Sequence, residues 1–323
     1  MWIIRHRTLL YWIMGIISAL SIGSVILFGL TIGIEFTGGT LTEVSYANGR
    51  PDRTAIETGL KNLHIGESSL RESGDSNYLL RTKSLEPEKR KDVMDVLSVD
   101  SAKPATLVRS TEIGPVIGEE LKNKAWIAIV LVILTIILYI TFVFRKVSEP
   151  VASWMYGVIT VLVLLHDLLI PIGMFALLGH FMGAEVDVLF VVAVLTILGY
   201  SVNDTIVVFD RVRENLKIDA EGGRERPFAE LVGGALMQTL VRSINTSVTT
   251  FLGVVALLFL GSEVTRYFAL TLAAGVVAGT YSSILLASPL LVTIEAWQRA
   301  RRERSEAAAE LAAASAVKPQ RKR

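Results

Sequence analysis

Leu195-Thr-Ile-Leu-Gly-Tyr-Ser-Val-Asn-Asp-Thr-Ile-Val-Val-Phe209 is apolar enough to lie in a bilayer, yet it carries a carboxylate, Asp204. An acid in lipid is costly unless it is paired, protonated or facing water, so it is read first as functional. Arg242 stands at the mouth of the next apolar stretch. Burial disfavours the ionised carboxylate and a nearby cation favours it, so a helix movement that changes their separation would couple motion to proton uptake and release. Each residue also has a plainer reading. Asp204 can be a structural hydrogen-bond acceptor, and Arg242 an interfacial charge at the membrane boundary.

The rest of the chain places this stretch in a membrane protein. Its 323 residues are 51% hydrophobic, and the mean hydropathy is +0.51. Soluble domains do not average that high. Cysteine is absent, which excludes disulfides, thiolate metal sites and thiol catalysis. The four histidines are scattered at 6, 64, 166 and 180, and there is no phosphate loop or nucleophile elbow. No metal, cofactor, nucleic-acid partner or enzymatic activity is expected.

Six stretches are long and apolar enough to span a bilayer, which takes about 20 residues. They are Leu9–Ile32, Ala125–Phe144, Pro150–Leu178, Val186–Phe209, Ser243–Gly261 and Tyr267–Ile294. The first follows Arg5 and Arg7 with no small-residue cleavage site, so it is read as an anchor that is kept. Arg145 and Lys146, the cluster from Arg211 to Arg226, and Arg299 to Arg304 with Lys318–Arg323 all flank the spans on one side. The positive-inside rule makes that side, and both termini, cytoplasmic. Four regions follow: the N-terminus and first span (1–32), an exterior domain (33–122), five further spans (123–295) with a cytoplasmic loop at 210–242, and a basic tail (296–323).

In the exterior region, alternation over Thr40–Tyr46 ends at the turn signal Asn48-Gly49 and predicts a strand. A helix over Asp52–Leu63, a hairpin of Ser68–Glu72 and Tyr78–Thr82, a helix over Pro87–Leu97 and a strand from Ala105 complete a β-α-β-β-α-β order. That order is the ferredoxin-like, split-βαβ arrangement. Phe228, Leu231, Val232, Ala235, Leu236 and Thr239 share one face of a segment running from Pro227 to Leu240, which suits a helix lying along the membrane.

Polar residues recur at helical spacing inside the spans. The fourth span carries Thr196, Gly199, Tyr200, Asn203 and Asp204; the fifth carries Arg242, Asn245, Thr246, Thr249 and Gly253. The third carries Ser153, Tyr156, Thr160 and Asp167 on one face, with His166 beside it, and Asp167 and His166 are further proton-coupling candidates. Asp167 has a structural reading as a neutral acid bonded to a neighbouring helix, and His166 one as a helix–helix contact. Asp187 reads as a solvated residue at the outer interface. Thr271, Gly275, Ala278, Gly279 and Ser282 form a small-residue ridge of the kind that lets helices approach closely. With Gly199, these glycines are helix-packing candidates.

Several motifs carry a family resemblance: Gly33-Ile-Glu-Phe-Thr-Gly-Gly39, Gly114-Pro-Val-Ile-Gly118, His166-Asp167, the run from Gly199 to Asn215, Gln238-Thr-Leu-Val-Arg-Ser243, and Thr246-Ser247. Over residues 1 to about 295 the chain resembles the SecF family, the smaller subunits of the SecD–SecF accessory complex of bacterial protein export, in the resistance-nodulation-division superfamily. The resemblance implies a six-helix half-bundle with an exterior ferredoxin-like domain in the cytoplasmic (inner) membrane. It implies a SecD partner bringing six more spans and a further acid, and work with the SecYEG channel, the SecA motor, YajC and the translocating preprotein, driven by protons. The family's proton-carrying charges map onto Asp204 and Arg242. Glu35 stands where the family usually has Asp. Two rival functions remain at this point. One is half of a proton-coupled exporter of lipids or hydrophobic small molecules, for which an exterior domain of about 90 residues is small. The other is a non-transporting scaffold.

Overall fold

The structure, a computed structural model, describes residues 2–66, 68–74, 76–98, 103–145, 151–224 and 226–316. Lys146, the Pro150 start of the third stretch, Asp75 of the hairpin turn and the basic run Lys318–Arg323 lie outside the described residues. In chain order the elements are α1 (Trp2–Arg5), α2 (Arg7–Phe28), α3 (Ile34–Thr37), β1 (Gly39–Tyr46), α4 (Arg53–Asn62), β2 (Ser68–Ser73), β3 (Asn77–Thr82), α5 (Pro87–Leu97) and β4 (Ala105–Ile113). There follow α6 (Pro115–Val143), α7 (Ser153–Met182), α8 (Val188–Glu221), α9 (Phe228–Leu260), α10 (Glu263–Ser282), a π-helical turn (Ser283–Ala287) and α11 (Ser288–Ala316).

The chain forms two compact units. One comprises Met1–Ile26, Leu131–Met174 and Ala193–Arg323; the other comprises Leu27–Val130 and Phe175–Val192. Among the described residues, six helices are long and apolar enough to cross a membrane: α2, α6, α7, α8, α9, and α10 running through the π turn into α11. Their surfaces identify a membrane protein. Leu20, Ile26, Trp126, Leu138, Phe142, Leu252, Phe259 and Leu260 are all exposed, and a contiguous apolar surface of that kind needs lipid or another protein against it.

In the second unit the predicted β-α-β-β-α-β order forms a four-stranded antiparallel sheet of order β2-β3-β1-β4. Alternation sets its inner face. Val44 and Tyr46 of β1 and Tyr78 and Leu80 of β3 point to one side, where they meet Ile56 and Leu60 of α4 and Val93 and Leu97 of α5. Both helices supply i, i+4 pairs, the spacing that stacks side chains on one helical face. The Tyr46 hydroxyl donates to the Leu97 carbonyl (2.9 Å), closing sheet against helix.

Two expectations change in the first unit. The segment from Pro227 to Leu240 is not a separate helix lying along the membrane, because α9 runs unbroken from Phe228 to Leu260. Its apolar face is buried against protein: Leu236 packs with Val208 and Ile284. The segment contains no proline to interrupt the hydrogen-bond ladder after Phe228, and a buried face has no reason to lie in lipid. The 210–242 loop is likewise mostly helix, since α8 continues to Glu221. The last span also continues into the tail, as helix to Ala316.

Candidate proton-coupling site

Asp204 is buried at 3% exposure. Four residues before it on α8, Tyr200 donates its hydroxyl to Ser247 Oγ of α9 (2.9 Å). Ser247 in turn donates, at a long 3.5 Å, to Asp204 Oδ2. The inward face of α9 is therefore the hydroxyl row Thr239, Ser243 and Ser247, all buried and spaced by four. A side chain one position away is turned by about 100°, which carries Arg242 out of that row and into the open. Arg242, Asn245 and Thr249 are exposed and Thr246 is half-buried. Among the described residues no ion pair joins Asp204 to Arg242, and this arrangement of α8 and α9 is the reason.

Arg242 lines an open groove of about 600 Å³ with Tyr139 and Val143 of α6, Asp210, Arg211, Arg213 and Glu214 of α8, and Gln238 of α9. On α8, Thr196, Gly199 and Asn203 are exposed, Tyr200 is half-buried and Asp204 is inside. The polar stripes of the fourth and fifth spans thus cross from protein interior to surface. Among the described residues nothing lies within 4 Å of a Cβ built on Gly199. Gly275 and Gly279 do pack: a Cβ on Gly275 would overlap Ile197, and one on Gly279 would lie 3.0 Å from the Ser201 Cβ.

That close approach of α10 to α8 assembles a second polar cluster. Asp167 of α7 is fully buried. Its Oδ2 accepts from Ser201 of α8 and from Ser282 at the end of α10 (2.7 Å). Its Oδ1 has no hydrogen-bond partner among the described residues. The π turn begins directly after Ser282. On the α7 side, Pro171 lies inside the helix. Its ring nitrogen has no hydrogen to offer the carbonyl four residues back, that of Asp167. Beside it, His166 joins Ser18 of α2 through Nδ1 (2.7 Å) and the Tyr281 hydroxyl through Nε2 (3.0 Å). The helix-contact reading of His166 describes this bridge.

Ser18 and Tyr281 are not marked by the sequence; Ser282 enters there only as a member of the small-residue ridge, and Ser201 and Ser247 only within family motifs, none of them as a partner of an acid. Only the four-residue recurrence of Thr239, Ser243 and Ser247 offered a signal. Serines are common in spans, and nothing local says which of them faces an acid. Asp187 is also placed differently from expectation. It is not simply solvated, because its Oδ1 accepts from the Phe190 amide (2.7 Å) and caps α8. At the other end of α8, Gln238 Oε1 accepts from Arg211 (2.6 Å) and Asn215 (3.1 Å), which ties the Gly199–Asn215 motif to the Gln238 motif.

The family model described as protein export membrane protein SecD/SecF, C-terminal, matches residues 95–297, well over half of the chain. The chain belongs to the SecF family. It is similar to the SecF protein translocase subunit of Thermobaculum terrenum, 39% identical over 306 residues, covering 91% of this chain and 93% of that one. It is similar to that of Sebaldella termitidis, 36% identical over 283 residues, covering 86% and 87%. The SecDF translocase subunit of Thermus thermophilus is 36% identical over 301 residues, but this SecF-family chain covers only 37% of it. Against the crystal structure of SecDF from Thermus thermophilus the TM-score is 0.77 at 34% identity, covering 92% of this chain and 38% of that chain. Against SecDF in its super-membrane-facing form the TM-score is 0.64 at the same identity, covering 94% and 39%. The six membrane helices and the small antiparallel sheet belong to that shared SecF architecture.

Proposed function

We propose that this chain is the SecF-type subunit of a protein translocase accessory complex, which pairs with a SecD-type chain and uses the proton motive force in late steps of protein export. The observation that carries the reading is the half-open polar face. Asn203, Arg242, Asn245 and Thr249 are exposed on membrane helices whose inner side holds Asp204. Polar groups on a spanning helix belong against protein or in a water-filled cavity. The Thermus relative, whose name joins SecD and SecF and of which this chain covers 37%, supports a SecD partner as what completes that face.

In this reading Asp204 takes up and releases the proton, and Ser247, itself held by the Tyr200 hydroxyl, donates to its Oδ2. Arg242 sits at the rim, where a partner's approach brings it under lower dielectric and strengthens its pull on the carboxylate. His166 and Asp167 stand behind it as a second polar cluster. The membrane potential provides about 2.3 kcal/mol per charge per 100 mV, which biases a conformational equilibrium of that size. The chain lies in the cytoplasmic membrane with both termini inside and residues 33–122 outside. It acts beside SecYEG and SecA, with YajC, on preprotein emerging from the channel.

The test is Asp204→Asn in the complex reconstituted with its SecD partner in vesicles carrying a proton gradient. Gradient-dependent export is expected to vanish while assembly with SecD stays intact. Undiminished export by that variant removes the proton role, and lost assembly points instead to a scaffold.

A further inference from the structure

Within the sheet-bearing unit, the loop between α7 and α8 is fastened both to the sheet and to the chain after α2. Val186 pairs with the chain just after α2: its amide donates to the Thr31 carbonyl (2.7 Å) and its carbonyl accepts from Gly33 (2.8 Å). This makes a parallel bridge between Ile32 and Val186. Glu185 meets two arginines, Arg71 (3.2 Å) and Arg81 (3.4 Å). Arg71 also donates to the Gly183 carbonyl, and Arg81 donates to Thr37 (2.9 Å). Glu35 accepts from the Val188 amide (2.5 Å), the first residue of α8.

These anchors sit on rigid elements. Arg71 is opposite Leu79 and Arg81 is opposite Ser69 within the β2–β3 pair. Glycine is required on both sides of the seam. Gly183 has φ +71° and a Cβ there would lie 2.9 Å from Arg71 Nη1; a Cβ on Gly33 would lie 2.9 Å from the Val186 carbonyl oxygen. The sheet has two covalent ties to membrane helices, through residues 29–33 after α2 and through Gly114 before α6. Two ties define an axis about which a body can rock. A third attachment, in which Arg71 and Arg81 of the sheet hold Glu185, restrains that rocking.

We propose that the 183–188 loop is that third tie, a rigid link by which displacement of α8 is delivered to the exterior sheet, with Glu185 as its positioning residue. α8 is one unbroken helix from Val188 to Glu221 that carries Asp204, so its N-terminus moves as the end of a rod. The inference rests on the reading of Asp204 as the proton-binding group. It gives Glu35 a part as well: the carboxylate that caps the helix at the joint, where a negative charge suits an N-terminus.

The experiment uses the full chain with its SecD partner in vesicles and reads proton flux and preprotein export separately. Glu185→Gln combined with Arg71→Gln is expected to leave assembly and gradient-driven proton flux as in the parent. Export per proton should fall by about tenfold, the scale of a typical coupling between sites. The rescue is Ile32→Cys with Val186→Cys. Paired strands lie about 4.8 Å apart, within disulfide reach, and the chain has no other cysteine. Oxidation of this pair in the uncoupled background should restore export, and reduction should remove it again. Unchanged export in the Glu185/Arg71 variant overturns the link, as does a disulfide that forms without rescue. A parent complex whose flux is insensitive to Asp204→Asn fails the proton reading instead.

Discussion

Asp204 and Asp167 are both carboxylates buried in membrane helices, and their surroundings are opposite in kind. Asp167 is enclosed by partners from its own chain, with hydroxyls from α8 and α10 on one oxygen. Asp204 has one long hydrogen bond from Ser247 and stands beside a polar stripe that emerges onto the surface. The first site is closed within this polypeptide. The second adjoins exposed polar residues of α8 and α9. Groups that must exchange protons need a changing environment, and in the proposed reading the Asp204 side is the one that another chain or water alters.

The largest expected effect breaks the comparison if it fails. Asp204→Asn should eliminate gradient-dependent export with no loss of folded subunit, whereas Asp167→Asn should retain both, because an amide oxygen still accepts from Ser201 and Ser282. Export assays in vesicles distinguish the two, and equal loss in both variants would put them in one functional unit.

Next in size is Asp167→Leu. It takes the acceptor from the buried Ser201 hydroxyl and leaves Ser282 with the Gly279 carbonyl (3.2 Å), at about 1–3 kcal/mol for the unsatisfied group, and should lower the amount of folded subunit recovered from the membrane. Gly279→Leu should follow at about 1–3 kcal/mol, since it forces α10 off Ser201 and so loosens the Asp167 cluster indirectly. Thermal unfolding in detergent ranks the pair. Arg242→Gln sharpens the contrast from the other side. Exposed in this chain, it should change the subunit's own stability by no more than about 0.5 kcal/mol, while weakening co-purification of SecD.

The smallest effect provides a scale from outside the membrane. Burial, with the neighbouring Tyr78 adding to it, pushes the Tyr46 hydroxyl up to about 12. The unfolded phenol ionises near pH 10, so the folded state binds a proton that the unfolded chain has released. Stability is therefore present below pH 10 and is lost as the pH rises from there toward 12. Tyr46→Phe should remove this dependence at a cost of about 1 kcal/mol for the hydrogen bond to Leu97, read by hydrogen exchange of the β1 and β3 amides in the full chain.

Legibility followed the range of the forces involved. The strand at Thr40–Tyr46, the helices α4 and α5 and the hairpin were readable, because alternation and i, i+4 spacing are local and each of these elements buries one face. Asp204 and Asp167 stood out because a charge in an apolar run is itself an anomaly. No ion pair joins Asp204 to Arg242 among the described residues, since periodicity tells which residues share a face of one helix and not where that face turns. The same limit explains the segment from Pro227 to Leu240. Its apolar face looked suited to lipid, and whether lipid or protein covers such a face depends on neighbours distant in sequence.

By itself, then, the sequence determined six spans, the β-α-β-β-α-β order and the two acids, all consequences of hydrophobic transfer and short-range periodicity. Tertiary structure alone decided which hydroxyls meet which acid, that Arg242 faces outward, that Glu185 locks onto the sheet and that Val186 locks onto the chain after α2. Those outcomes depend on the rotation of each helix about its axis. Packing contacts such as Gly279 against Ser201 set that rotation, and no single helix encodes it.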